Sequence, residues 1–185
     1  MMSIELWLEA DPDLTTDSYP SEQQCQDWIN VVFNYLAENA SLLPASVYLE
    51  ALQQQRSMSV AVRVVGQEEG RTLNLQYRAR DYATNVLSFP AELPEWASDE
   101  LDELPLGDLI ICAPVVAQEA QQQGKRLHDH WLHLLVHGCL HLLGLDHIED
   151  EQADAMEALE VAILAVCGCN NPYIIVPSTT AGIEE

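Results

Sequence analysis

The sequence predicts a single α+β domain in which a small mixed sheet of about four strands is covered by five or six helices. Three observations support this fold class. Four strand-like segments are interleaved with segments of helical spacing, no internal repeat or linker divides the chain, and 185 residues with 48% apolar content suffice for one core. Residues 1–172 are predicted to form the domain, and residues 173–185 an acidic, disordered tail, because the end of the chain lacks periodicity.

Four segments are predicted as strands from their alternation or apolar runs and from the turn residues that end them: Ile4–Leu8, Met58–Val65, Val86–Phe89 and Gly107–Ala113. The run Leu109–Ala113 is continuously apolar, which favours a strand that is buried on both faces. The span Glu92–Asp108 contains seven acidic residues and is predicted to be a solvated loop.

Helical spacing of apolar residues predicts five helices, over residues 21–38, 68–77, 114–123, 129–143 and 151–166. Ser21 is expected to cap the first of them, with Gln24 in the capping-box position. Residues 40–55 stay open between an extra helix and a peripheral loop, because Pro44 interrupts a run of helix formers.

In the last of these helices a stripe of apolar residues is expected to face the core: Met156, Leu159, Ile163 and Val166. Glu157 and Glu160 are expected to lie nearer solvent.

The net charge of −23 argues against a protein that binds polyanions over its whole surface. The charge is unevenly distributed. Residues 1–55 and 127–185 contain no Lys or Arg, and all seven basic residues lie between Arg56 and Arg126. An anionic substrate must therefore be held by that middle segment.

The chain contains no run of eighteen apolar residues and no basic leader before Ile4, so neither a membrane span nor a signal peptide is predicted, and a cytoplasmic location is expected. The five cysteines lack the paired spacing of a zinc ribbon or a redox dithiol and are predicted to be reduced thiols. Cys167 and Cys169 are compatible with a soft-metal site but are better explained as part of a helix end.

Three histidines near the end of the fourth predicted helix are spaced as metal ligands. His137 and His141, four residues apart, share one helix face and can reach the same ion. Gly144 is expected to end the helix and turn the chain so that His147 becomes the third ligand. Three nitrogens with one open position are typical of catalytic zinc, although such a site also accepts nickel or copper.

Two other interpretations of these histidines are weaker. They could merely fill a polar groove, but all six histidines lie between His128 and His147 and Gly144 stands where a metal site requires a turn. The same spacing occurs in metzincin proteases, which carry a glutamate general base after the first histidine. Gly138 occupies that position here, so a metalloprotease would lack its proton acceptor.

A zinc ion held by histidines lowers the pKa of bound water to about 7, so the attack needs no strong protein base if the electrophile is activated in another way. A phosphodiester meets this condition, because metal and guanidinium charges stabilise its oxygens. The basic residues are mostly arginines that precede the metal helix. The residues therefore favour phosphate chemistry without identifying the substrate.

Four sequence blocks occur in a specific order along the chain: Leu73–Arg78 followed by Asp81, Thr84–Pro90, Gly107–Cys112, and His137–His147. Together they resemble the YbeY family of bacterial endoribonucleases, the rRNA maturation factors. The resemblance covers roughly residues 58–166.

This resemblance implies a zinc-dependent, single-strand-specific endoribonuclease that acts in rRNA processing, including maturation of the 16S rRNA 3′ end, in ribosome biogenesis and in ribosome quality control. It implies one Zn²⁺ per chain, held by His137, His141 and His147, and it makes Arg78 the residue that engages the substrate. By its sequence context alone, Arg78 would be expected to form a surface ion pair, as an arginine that follows a helix usually does. Asn85 and Ser88 are further candidates for substrate binding.

Four other polar residues near the motif have less specific predictions. Asp146 either accepts a hydrogen bond from a ligand imidazole or caps the following turn. His133 is expected to line the pocket or the core, because a fourth protein ligand would close the open metal position. His128 and His130 are expected at the surface.

The expected substrate is single-stranded rRNA, with no role for DNA or for a membrane. Because the acidic chain is a poor autonomous RNA binder, the ribosome, a small-subunit ribosomal protein or a GTPase is expected to present the substrate. Two rival functions are a metalloprotease and a non-catalytic ribosome-assembly factor that uses its metal structurally.

Overall fold

The computed structural model describes residues 4–94, 96–146 and 150–174. Its sheet has four strands in the order β1-β2-β4-β3, with β1, β2 and β4 parallel and β3 antiparallel to β4. The strands are β1 (Ile4–Ala10), β2 (Ser57–Val65), β3 (Val86–Pro90) and β4 (Glu103–Cys112). The predicted small mixed sheet is therefore confirmed.

Seven α-helices lie in the described part of the chain, and one of them, α4, is a single turn. The other six match the five or six helices predicted. The helices are α1 (Glu22–Glu38), α2 (Val47–Gln53), α3 (Gln67–Arg78), α4 (Ala97–Glu100), α5 (Ala113–Gln122), α6 (Leu127–Leu142) and α7 (Asp150–Val166). None of the helices in the described ranges combines the length and apolarity that crossing a membrane requires.

The helix α1 begins as the capping-box pattern predicts, since the Ser21 side chain accepts a hydrogen bond from the Gln24 amide at 3.2 Å. Its Gln26 side chain bonds to the backbone of the edge strand β1, accepting from Leu6 N at 3.1 Å and donating to Ile4 O at 2.8 Å. These bonds occupy polar groups that an edge strand otherwise exposes. The open question over residues 40–55 is answered by α2, which Ser46 caps.

The helix α6 is the centre of the molecule, because it contacts α1, α5, α7, β3 and β4. Gly138 lets it approach the sheet closely, since a Cβ at that position would lie 2.7 Å from the Leu109 side chain on β4. Ten of its sixteen residues are buried. The polar side chains of this helix are therefore held by a rigid element.

The two faces of the sheet are covered unequally. On one face of β2, Met58, Val60, Val62 and Val64 are almost fully buried, whereas Arg63 on the opposite face is exposed. On β4, Ile110 is only half-buried, so the prediction that the run Leu109–Ala113 is buried on both faces is wrong at this position; the preceding Asp108 on the same face is exposed. The reason is that α3 covers only part of this face and leaves a pocket of about 650 Å³ over it.

The strand β4 also begins earlier than the sequence indicates, because residues 103–106 belong to it rather than to the acidic loop. Leu104 and Leu106 are fully buried, and their alternation is hidden in the sequence by the surrounding acids. The pairing with β2 shifts by one residue between Pro105 and Gly107. Gly107 has φ +130°, and a Cβ there would lie 2.1 Å from the Phe89 carbonyl oxygen, so only glycine fits this bulge.

Candidate active site

A pocket of about 660 Å³ lies where the loop after α3 and the strand β3 meet the C-terminal end of α6. Six residues singled out from the sequence line it: Arg78, Asn85, Ser88, His137, His141 and Asp146. The seventh, His147, lies outside the described residues, so its role as third ligand stays a prediction. The fold thus brings together side chains that are up to 68 positions apart in the sequence.

The two ligand candidates on α6 face each other, with 3.0 Å between His137 Nε2 and His141 Nε2. Each ring uses its other nitrogen as a donor: His137 Nδ1 donates to a Glu160 carboxylate oxygen at 2.6 Å, and His141 Nδ1 donates to the Leu145 carbonyl at 2.9 Å. Since a neutral imidazole carries one hydrogen, both Nε2 atoms are left as acceptors. A cation between two facing acceptors stabilises both, and tetrahedral zinc separates its nitrogen ligands by roughly 3.3 Å.

The end of α6 follows the predicted geometry. Gly144 has φ +91°, and the chain reverses through hydrogen bonds from Gly144 N to His141 O and from Leu145 N to Leu140 O, at 3.0 and 3.1 Å. This is the glycine-terminated helix end known as a Schellman motif. The turn also presents the Leu145 carbonyl to the His141 ring, so the glycine orients a candidate ligand.

The prediction for Glu160 on α7 is wrong. This residue was expected near solvent, but it is fully buried against α6. Burial raises the pKa of the Glu160 carboxyl, but hydrogen bonds from His133, His137 and Tyr173 outweigh it and hold the pKa below its ordinary value. The carboxylate is thus an acceptor at neutral pH.

Three further expectations are settled by the packing of α6 and α7. His130, expected at the surface, is buried, and its Nε2 lies 2.8 Å from a carboxylate oxygen of Glu119 on α5. Val166, expected in the core stripe, is the last residue of α7 and is 60% exposed. The His133 ring is directed at Glu160, with its Nε2 2.9 Å from a carboxylate oxygen.

Arg78 is the last residue of α3, and Ala79, with φ 56°, turns the chain away behind it. Its guanidinium donates to the Ser88 carbonyl at 3.2 Å and lies 5.6 Å from the centre of the Phe89 ring. Within the described part of the chain its partners are thus a carbonyl and an aromatic ring rather than a carboxylate. The surface ion pair expected from sequence context alone is not formed there, and the positive charge faces the pocket.

The other two substrate candidates are held by local contacts. The Asn85 amide group donates to Glu119 at 3.0 and 3.2 Å, and its oxygen accepts from Val86 N at 2.6 Å. Asn85 therefore anchors the start of β3 to Glu119, which also contacts the buried His130. Ser88 contributes its backbone carbonyl to Arg78.

Two pocket residues were missed by sequence reasoning. Arg80 lines the pocket and donates to the Tyr82 hydroxyl at 3.2 Å. Asn74 is buried on α3 and donates to the Tyr82 carbonyl at 2.7 Å, which fixes the loop that carries Arg80. For Arg80, the available signal in the sequence was the confinement of all basic residues to the middle of the chain.

A second group of potential metal ligands lies at the opposite, N-terminal end of α6. Ligand atoms of His128, Asp129 and Cys169 lie within 4.8 Å of one another. The Asp129 carboxylate is already paired with Arg126 at 3.3 Å, and a helix N-terminus disfavours a cation. The histidine pair at the other end of α6 has neither disadvantage.

Comparison with known proteins gives a consistent result. The profile of the family described as Endoribonuclease YbeY matches residues 15–168. A protein named Endoribonuclease YbeY from Pseudomonas putida (strain W619) is 58% identical over 125 residues, which cover 66% of this chain and 77% of the relative. Another of the same name, from Stenotrophomonas maltophilia (strain K279a), is 51% identical over 151 residues, or 78% of this chain and 93% of the relative.

Among solved structures, the chain is similar to the solution structure of TM1509 from Thermotoga maritima, with a TM-score of 0.49 and 20% identity over 95% of this chain and 98% of that one. The family assignment rests on the sequence matches, since the family profile spans residues 15–168 and the relatives are 51% and 58% identical. The chain belongs to the YbeY endoribonuclease family.

Proposed function

We propose that this protein is a zinc-dependent endoribonuclease that cleaves single-stranded RNA. The observation that carries the proposal is the pair of facing Nε2 acceptors of His137 and His141 beside the guanidinium of Arg78, which has no carboxylate partner among the described residues. A site that combines a metal with an arginine suits a phosphodiester, whose transition state concentrates negative charge on its oxygens. The relatives are named as endoribonucleases, which supports the same class of reaction.

The proposed activity also suggests a cellular role. Family membership supports a role in rRNA processing, and we propose maturation of the 16S rRNA 3′ end, ribosome biogenesis and ribosome quality control in the cytoplasm as its setting. The ribosome, a small-subunit ribosomal protein or a GTPase would present the substrate, since the protein carries a net charge of −23.

The residues of the pocket would have different roles in the reaction. His137 and His141, with His147 as the proposed third ligand, would hold the ion, which supplies Lewis-acid charge at the scissile phosphate. Arg78 would bind a phosphate oxygen, because its guanidinium is held in place by the Ser88 carbonyl and the Phe89 ring. Arg80 adds a second positive charge at the rim of the same pocket.

The protease alternative is disfavoured by Gly138. A Cβ at this position would be directed at the buried Leu109 side chain, 2.7 Å away, rather than into the pocket. A glutamate there would be forced into the core, so this position cannot supply the general base that metzincins use. Zinc-dependent cleavage of an unstructured protein, with RNA left intact, would reverse this conclusion.

The direct test is replacement of His137 by alanine. Wild-type protein is expected to purify with about one zinc ion per chain and to cleave a defined single-stranded RNA, and His137→Ala is expected to lose both properties because one ligand is removed. Metal analysis and single-turnover cleavage measure the two effects.

A matched control addresses the other group of potential ligands. Cys169→Ser is expected to keep its zinc and its activity, since Cys169 lies at the far end of α6. Full metal content in His137→Ala would refute the proposed site. A metal-loaded wild-type protein that never cleaves RNA would instead favour the assembly-factor alternative.

A further inference from the structure

Glu160 is a carboxylate in an apolar setting. Its side chain is 1% exposed, and its neighbours along α7, Met156, Leu159 and Ile163, are core residues. Burying an ionised carboxylate is costly unless hydrogen-bond donors surround it. The position therefore requires partners of a specific kind, and α6 provides them.

The two oxygens of Glu160 have different partners. One of them, Oε1, accepts from His137 Nδ1 at 2.6 Å. The other, Oε2, accepts from His133 Nε2 at 2.9 Å and from the Tyr173 hydroxyl. Tyr173, which sequence reasoning assigned to the tail, thus contacts the site from beyond the end of α7. Because His133 and Tyr173 both use Oε2, Oε1 is reserved for His137.

This arrangement determines the state of the His137 ring. A carboxylate can only accept hydrogen bonds, so the nitrogen that faces it must carry the hydrogen. His137 is therefore held as the Nδ1–H tautomer, with the lone pair of Nε2 directed into the pocket toward His141. The other tautomer, which free histidine favours in water, would place a hydrogen where a metal has to bind.

The two ligand candidates on α6 are oriented by unlike acceptors. His141 donates to a neutral backbone carbonyl, whereas His137 donates to a carboxylate. A carboxylate partner makes a ligating imidazole more basic, and loss of such a partner typically lowers metal affinity about 10- to 100-fold. The affinity of His137 for a metal should therefore depend on α7, which carries its carboxylate partner.

We propose that Glu160 is a positioning residue that holds His137 in the tautomer and orientation of a metal ligand, while His133 and Tyr173 hold Glu160 in place. The inference rests on the proposed metal site. It gives His133 a definite role as a donor to Glu160 instead of as a fourth ligand.

The test compares three proteins: wild type, Glu160→Gln and Glu160→Leu. Glutamine keeps a neutral acceptor for His137, and leucine removes it. Zinc affinity, measured by competition with a chromophoric chelator, is expected to fall about tenfold in Glu160→Gln and further in Glu160→Leu. In metal-free protein, ¹⁵N–¹H NMR is expected to show His137 moving from the Nδ1–H to the Nε2–H tautomer in Glu160→Leu.

The matched control is Glu157→Gln, because Glu157 lies one helical turn earlier on α7 and is exposed. It is expected to change neither quantity. Circular dichroism and thermal melting establish that each variant is folded, and if Glu160→Leu fails to fold, the affinity of Glu160→Gln decides the question.

The outcomes separate this inference from the proposed function. A Glu160→Gln protein that binds zinc as tightly as wild type would overturn the positioning role even if the enzyme cleaves RNA. A wild-type protein that binds no zinc would refute the proposed function, and the tautomer measurement would still decide whether Glu160 controls the His137 ring.

Discussion

Arg78 has contact partners of a different kind from those of three other arginines in the chain. These three, Arg63, Arg71 and Arg126, are each bound to a carboxylate. Arg78 is instead held by a carbonyl and a ring. Its charge therefore remains available to an anionic ligand in the pocket, on a protein that is otherwise strongly acidic.

At this residue scale, Arg78→Glu is expected to keep the full zinc content and to lower the rate of single-stranded RNA cleavage by about 100-fold or more, because a charge that stabilises the transition state is reversed. Arg63→Ala is the matched control, since Arg63 lies on the opposite face of the sheet and is paired with Glu69 at 2.8 Å. Equal activity of the two variants in single-turnover assays would exclude Arg78 from the reaction.

At the scale of elements, α6 joins the core to the pocket. Its apolar side chains are buried against α1, α7 and the sheet, and its last turn holds His137 and His141. The glycine that ends the helix has a second effect, because it brings the Leu145 carbonyl to the His141 ring. The turn at Gly144 therefore both ends the helix and positions the carbonyl that accepts from His141.

The corresponding prediction concerns Gly144→Ala. With φ at +91°, an alanine is strained by about 1–2 kcal/mol, so the free energy of unfolding falls by that amount and zinc affinity falls as the turn relaxes. Gly124→Ala, at φ +62° and outside the pocket, is expected to lose stability but to keep its zinc affinity. Equal zinc affinities in the two variants would show that the turn does not orient His141.

At the scale of the whole molecule, positive charge is scarce and localised. The chain has seven basic residues against thirty acidic ones, and two of the basic ones, Arg78 and Arg80, line the pocket. The second pocket, on the open face of the sheet, is lined by Glu9, Glu22 and Asp108 together with Arg63. Long-range attraction of RNA by this surface is not expected.

The whole-molecule prediction follows from counterion release. Two arginines that each neutralise a phosphate of a single strand give a slope of log K against log salt of roughly −1.4, at about −0.7 per phosphate. Fluorescence anisotropy of a short single-stranded RNA over a series of salt concentrations measures this slope. A slope steeper than about −3 would mean that the RNA contacts more basic residues than Arg78 and Arg80.

The features that sequence reasoning recovered depend on neighbours along the chain. The α+β class, the Ser21 cap, the glycine turn at Gly144 and the shared helix face of His137 and His141 all follow from local periodicity and backbone preference. The boundary of β4 was missed because Leu104 and Leu106 alternate with Glu103 and Pro105 within a stretch rich in acidic residues.

The features that required the tertiary structure depend on which elements meet. Periodicity on α7 placed Glu160 beside exposed positions, and only the packing of α7 on α6 makes it a buried acceptor for His137. The same holds for His130, whose burial depends on Glu119 of α5. The sequence by itself determined that the chain has a candidate metal-binding helix. The tertiary structure decided which carboxylate accepts a hydrogen bond from His137 and which arginines line the same pocket, because such contacts join residues distant in the chain.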